Sequence, residues 1–253
     1  LCAHWAERYD WSAAAVAANA WPQVRTEVDG QPIHAFHVRS PEPDAVPLVL
    51  LHGWPSLNLE FLRLLGPLSD PVAHGGRAED AFHLIVPSLP GFGWSGPTRR
   101  PGWTPHRIAG AIVDLCERLG HDRFLAHGGD WGAMVSSQLG LHFPDRVAAI
   151  HLNLVIAPPP KDVEDPLAGL TAAERDRIAE MHAKGRDEMG YQQIQATRPA
   201  SLSAGLNDSP AGLAAWILEK FRAWGDCGGD VWSRFTRDDL CTLLTVYWAT
   251  GTI

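Results

Sequence analysis

Asp130 lies in the stretch FLAHGGDWGAM (residues 124–134), between a run that reads as a β-strand and one that reads as a helix. Gly128-Gly129-Asp130-Trp131-Gly132 has the small-x-nucleophile-x-small layout of a nucleophile elbow. In that turn the chain reverses so tightly that larger flanking side chains collide, and the central one is thrust into the open. The following helix would aim its positive N-terminal end at that side chain, which suits a carboxylate. An aspartate before a helix also serves as an ordinary N-cap. Here the paired glycines before it, Trp-Gly after it and the strand upstream favour the nucleophile. A carboxylate nucleophile displaces at carbon and forms an alkyl ester that water must then cleave. That chemistry suits an epoxide or a carbon–halogen bond and suits ordinary carboxylic esters poorly.

An acid so placed needs a sheet edge to stand on, and the pattern around it supplies one. CAHWAERYDWSAAAVAANAWP reads as a helical arm, followed by VRTEV and PIHAFHV around Asp29-Gly30, a tight-hairpin signal. LVLLHG is an unbroken apolar run of the kind covered on both faces of a parallel sheet. FHLIVPS, RFLAHGG and VAAIHLNLV read as further strands, alternating with helices over TPHRIAGAIVDLCERLG and WGAMVSSQLGLHF. Thr104 and Pro105 start the first of these helices and Gly120 stops it. After APPPKDVEDP only helices follow, one opening on Thr171 and Glu174 at capping-box spacing and another at Thr236. The expected layout is an α/β core over 46–156 with a mostly parallel sheet. An N-terminal arm over 1–45 precedes it, and a helical lid over 157–253 covers the strand ends.

Composition narrows the partners. A net charge of −8 without a run of Lys and Arg argues against nucleic acid or an anionic membrane. No apolar run reaches the length of a membrane span. Cys2, Cys116, Cys227 and Cys241 form neither a disulfide framework nor a zinc pattern, which fits reduced thiols in a cytoplasmic protein. Eleven tryptophans suit an apolar pocket as well as a large core, so Trp94, Trp103, Trp216 and Trp232 receive no assigned role.

HGWP (52–55), PSLPGFGWSGPT (87–98), HGGDWG (127–132) and GYQQIQATRPASLSAGLNDSPAGLAAWILEKF (190–221) together resemble the microsomal-type epoxide hydrolases, which include juvenile hormone epoxide hydrolases and bacterial relatives. The resemblance covers nearly the whole chain, and the long final motif is far more specific than the elbow. It implies an α/β-hydrolase core with an inserted helical lid, no cofactor or metal, a small apolar epoxide as substrate, and a vicinal diol as product. By the same resemblance Asp130 is the nucleophile. The backbone N–H groups of Trp54 and Trp131 form the oxyanion hole, where negative charge develops during ester hydrolysis. Opening the ring also needs a proton for the departing oxygen, which a phenol holds at neutral pH. Of Tyr9, Tyr191 and Tyr247, the family motif points to Tyr191. Tyr9 belongs to the arm, and Tyr247 to an apolar helical stretch that suits packing. The resemblance gives the His52 side chain no proton transfer, so a loop-ordering hydrogen bond is expected there. Trp54-Pro55, in a forced turn, is a candidate for a cis bond.

In this fold a relay acid and a late histidine follow the nucleophile. All twelve histidines lie between His4 and His182; His127 belongs to a strand, His182 to a lid helix, and Asn153 supplies no acid. The chain opens on Leu1 and ends at Ile253. It therefore reads as an epoxide hydrolase cut at both ends. Its last core strands, relay acid, water-activating histidine and second tyrosine are expected beyond Ile253, and on that expectation this chain could form the alkyl ester at best and not turn over. Two alternatives remain. A haloalkane dehalogenase would share the Asp nucleophile, with Trp131 contributing to a halide site. A non-catalytic binder of apolar ligands would lack the histidine by nature. The epoxide reading depends on the Asp130 carboxylate projecting into an enclosed cavity with the Tyr191 phenol facing it across a gap wide enough for a three-membered ring.

Overall fold

The computed structural model describes residues 1–155, 162 and 164–253. The chain divides into two compact units, Leu1–Val155 with Pro210–Ile253, and Ile156–Ser209. The sequence pattern suggests a single helical segment over 157–253, whereas Pro210–Ile253 folds as part of the first unit. The 156/157 boundary itself lies outside the described residues.

The first unit opens with helices α1 (Cys2–Glu7) and α2 (Trp11–Asn19). The expected single arm is thus broken, because the Asp10 side chain accepts the Ser12 and Ala13 N–H groups and starts a new helix. Strands β1 (Gln23–Val28) and β2 (Gln31–Val38) form the antiparallel hairpin. Asp29 and Gly30 turn it with φ of 50° and 74°, as the Asp-Gly pair requires. Next come β3 (Val46–Leu51), the short helix α3 (Leu62–Ser69), which no sequence pattern marked, and β4 (Phe82–Pro87). Helix α4 (Pro105–Arg118) starts on Thr104, whose side chain accepts the Arg107 N–H. It leads to β5 (Phe124–Gly128), α5 (Trp131–His142) and β6 (Val147–Leu152).

The strands form one sheet in the order β1-β2-β4-β3-β5-β6. The β4, β3, β5 and β6 strands run parallel, and the hairpin joins antiparallel at β2. Both faces are covered, which explains the continuous apolar strands. Val49 and Leu51 of β3 point into a core with Ile108, Ile112 and Leu115 of α4 and Val135 and Leu139 of α5. Leu50 of β3 points the other way, packing with Phe36, Leu84 and Leu65 of α3.

The second unit holds α6 (Ala172–Glu188), α7 (Gly190–Thr197) and α8 (Pro199–Asp208). Thr171 and Glu174 make the reciprocal capping box that starts α6. Helices α9 (Pro210–Trp224) and α10 (Arg237–Thr250) return to the first unit. There α10 is capped by Thr236 and meets the arm, with Trp5 Nε1 donating to Thr245 Oγ1 at 2.9 Å and Tyr9 bonded to Thr242 at 2.9 Å.

Candidate active site

Two turns leave the sheet side by side because β3 and β5 are neighbours, with Leu51 opposite Gly128. One turn is His52-Gly53-Trp54-Pro55; the other carries Asp130. The second is an elbow by geometry. Asp130 has φ 50° and ψ −120°, a backbone conformation that costs a non-glycine residue on the order of 1–3 kcal/mol and persists only where the surroundings enforce it. The enforcement comes from the flanking glycines. A Cβ on Gly132 would lie 1.9 Å from the Leu51 carbonyl oxygen, and one on Gly128 would lie 2.1 Å from the Gly132 oxygen. Gly132→Ala therefore has to push α5 off β3. We expect a loss of about 1–3 kcal/mol in urea unfolding, the usual range for overpacking. An unchanged urea midpoint would show that the elbow is not held this way.

The Trp54 N–H donates to Asp130 Oδ1 at 2.9 Å, across 76 residues of sequence. This leaves the second carboxylate oxygen without that bond. The Trp54-Pro55 bond is cis. Trp131 opens α5 directly after Asp130, and no hydrogen bond from its N–H to the carboxylate occurs among the described residues. The Asp130 side chain itself makes no N-cap bond to α5.

His52 holds the first turn from behind. It is fully buried, accepts the Leu89 N–H on Nε2 at 3.0 Å and meets the Gly53 carbonyl through Nδ1 at 3.2 Å. These partners fix the neutral ring with its proton on Nδ1, the loop-ordering arrangement. Burial pushes its pKa down to about 4.

Asp130 opens on a cavity of about 470 Å³, lined among others by Trp54, Glu60, His127, Asn153, Lys220 and Trp224. Asp130 and Glu60 are both exposed, and all the named cleft walls belong to the first unit. Of the twelve histidines, His127 alone lines this cleft among the described residues. Its Nδ1 faces that of His151 on β6 at 2.7 Å, and burial, together with that neighbour, lowers its pKa. No histidine bonds to Asp130 among the described residues. His182 and Tyr191 lie on α6 and α7 of the second unit. Tyr247 is fully buried and donates to the Ser56 carbonyl at 3.1 Å, a packing role within the turn's support. The four unassigned tryptophans, Trp94, Trp103, Trp216 and Trp232, do not line the cleft.

Sequence reasoning missed Glu60 and Lys220. Lys220 is buried, with its ammonium 5.6 Å from the Trp216 ring centroid and 5.4 Å from that of Trp224, and it is ion-paired with Glu219. Trp216, Lys220 and Trp224 recur at helical four-residue spacing, so a cation in an aromatic stripe was the available signal. Glu60 offered none, since an acid in a short loop-borne turn is ordinary.

Comparison with known proteins accords with this geometry. A family model described as "Epoxide hydrolase N terminus" matches residues 1–61, and one described as "alpha/beta hydrolase fold" matches residues 46–222. A Stigmatella aurantiaca protein, provisionally named an epoxide hydrolase, is 44% identical over 252 residues, covering 100% of this chain and 57% of its own length. Epoxide hydrolase 1 of Oryctolagus cuniculus is 34% identical over 275 residues, covering 100% of this chain and 60% of its own. The crystal structure of juvenile hormone epoxide hydrolase from Bombyx mori superposes with a TM-score of 0.87 at 32% identity, over 98% of this chain and 62% of that one. The chain thus spans about three fifths of the length of these relatives.

Proposed function

Because the chain belongs to the microsomal-type epoxide hydrolases, a family built on the α/β-hydrolase fold, we propose that it opens epoxides by attack of the Asp130 carboxylate on a ring carbon. The observation that carries this reading is the strained elbow at Asp130, with one carboxylate oxygen tied to the Trp54 N–H and the residue itself lining the cleft. In the first step the free oxygen bonds to carbon, the carbon–oxygen bond of the ring breaks, and the departing oxygen takes a proton. Tyr191 is the proposed donor, on the strength of the lid motif that carries it. The product is an ester of Asp130 whose carbonyl oxygen is the atom that Trp54 already holds.

In the second step water adds to the Asp130 carboxyl carbon, and that same oxygen becomes the oxyanion. The Trp54 N–H is then aimed where charge develops, with the Trp131 N–H as the proposed second donor. No described histidine bonds to Asp130, so this chain's own residues support ester formation better than ester cleavage. On this reading the ester accumulates.

The test uses styrene oxide as probe. Intact mass is expected to rise by one epoxide, with the added mass on the peptide containing Asp130 and released by hydroxylamine as an ester. Tyr191→Phe should slow its appearance about 10²-fold, the scale of a lost general acid. An adduct confined to the exposed thiol of Cys2, or rapid multiple turnover to diol, would count against the proposal.

A further inference from the structure

The wall of the cleft beside Asp130 is aromatic. Trp54, Phe221, Trp224 and Phe235 all line it, and all belong to the first unit. The wall begins at the nucleophile, because the residue whose N–H lies 2.9 Å from Asp130 Oδ1 also carries the Trp54 indole. That indole meets Trp224 with ring centroids 5.9 Å apart at 65°, an edge-to-face pair. Trp54 is buried, whereas Trp224 keeps 42% of its surface exposed. We infer that Trp224 is a specificity-determining residue: with Trp54 it forms a seat for a planar aryl group, so that the cleft selects an aryl epoxide over a saturated one of the same carbon skeleton. The inference deepens the epoxide-opening reading and, for the reaction, rests on it.

The seat is held by its neighbours. The Lys220 ammonium, one helical turn back on α9, stands 5.4 Å from the Trp224 ring centroid, a cation–π contact. Gly225, next along the chain, leaves room for Phe235: a Cβ there would lie 2.5 Å from the Phe221 carbonyl oxygen and 3.1 Å from the Phe235 ring. Phe235 in turn meets Phe221 edge to face, with centroids 4.9 Å apart at 87°. Two edge-to-face pairs thus flank the end of α9, and a wall already ordered costs a guest little to bind. Aryl selection also has a definite sign. Burial of apolar area alone favours the saturated ring, which carries more hydrogen and more apolar surface. An aromatic guest instead gains the attraction between ring edges and ring faces, which a saturated ring lacks. Phenyl over cyclohexyl is therefore the mark of aromatic recognition, and cyclohexyl over phenyl that of undirected apolar burial.

The test compares phenylmethyl-oxirane with cyclohexylmethyl-oxirane, whose methylene keeps the ring out of conjugation with the reacting carbon. In single turnover at limiting epoxide, the rate of ester formation on Asp130 should be higher for the phenyl compound. Trp224→Leu should lower the phenyl-to-cyclohexyl ratio about two- to tenfold, the worth of one aromatic pair, and bring it below one. Trp224→Phe should keep the wild-type preference. A wall that only supports the fold would slow both substrates alike in Trp224→Leu and leave their ratio intact. The corresponding diols, titrated as reversible ligands by calorimetry, make the same comparison without the nucleophile, and the phenyl diol should bind wild type more tightly. A wild-type ratio at or below one, or a ratio unchanged in Trp224→Leu, overturns the inference while leaving Asp130 in its role. Absence of any ester on wild-type Asp130 removes the nucleophile, and diol binding then decides the aryl seat by itself.

Discussion

Asp130→Asn is expected to abolish ester formation, lowering the single-turnover rate by about 10⁴-fold or more, as loss of a sole nucleophile does. The substitution is chosen because it changes the chemistry and little else. The amide oxygen can still accept the Trp54 N–H at the position Oδ1 occupies, and the elbow backbone keeps its residue size. What disappears is the anionic carboxylate, and a neutral amide does not displace at carbon. Intact mass after incubation with styrene oxide reads the result directly. A variant that still gains one epoxide at this peptide, with no deamidated aspartate in its mass, would falsify the assignment. A variant that loses the adduct but unfolds at the wild-type urea midpoint confirms that the loss is chemical.

Acid should destabilise the fold well before the carboxylates titrate, and His52 should carry much of the effect. The imidazole is buried and neutral, with a pKa of about 4 against the ordinary 6.5. The unfolded chain therefore binds a proton between those values and the folded chain does not. Stability from this group is fully present above pH 6.5 and declines as pH falls toward 4. At about 1.4 kcal/mol per pH unit, the gap is worth on the order of 3 kcal/mol. His34, 3% exposed and also near 4, pulls the same way. Urea midpoints at pH 7 and pH 4.5 measure the loss. In His52→Gln, which can still offer an acceptor and a donor, the fall should shrink by roughly one histidine's share. An equal fall in both proteins would mean that His52 does not link protons to this fold. Because the His52 ring ties the Gly53 carbonyl to the Leu89 N–H, the same acid range should loosen the turn that holds Asp130.

Much of the local structure was legible in the chain alone. Asp29-Gly30 turns the hairpin, Thr104 and Thr236 cap their helices, Thr171 with Glu174 forms its box, and the glycines flanking Asp130 mark an elbow. Each of these depends on residues within a few positions of one another, where backbone sterics and orphan N–H groups leave few solutions. The break at Asp10 was overlooked because an apolar-rich arm hides a cap in its middle. The short helix α3, with Pro67 inside it, carries little of the length on which periodicity depends.

The amino-acid sequence by itself determined the elbow and the acid within it, since tight reversal beside an oxygen of the neighbouring strand tolerates only glycine. Tertiary structure alone decided what that acid meets. The Trp54 N–H reaches Asp130 because β3 and β5 pair, and Glu60, Lys220 and Tyr247 gather around the turn from three separate helical elements. No spacing along the chain encodes those meetings. They follow from which apolar faces bury one another, a property of the whole packed sheet and its covering helices.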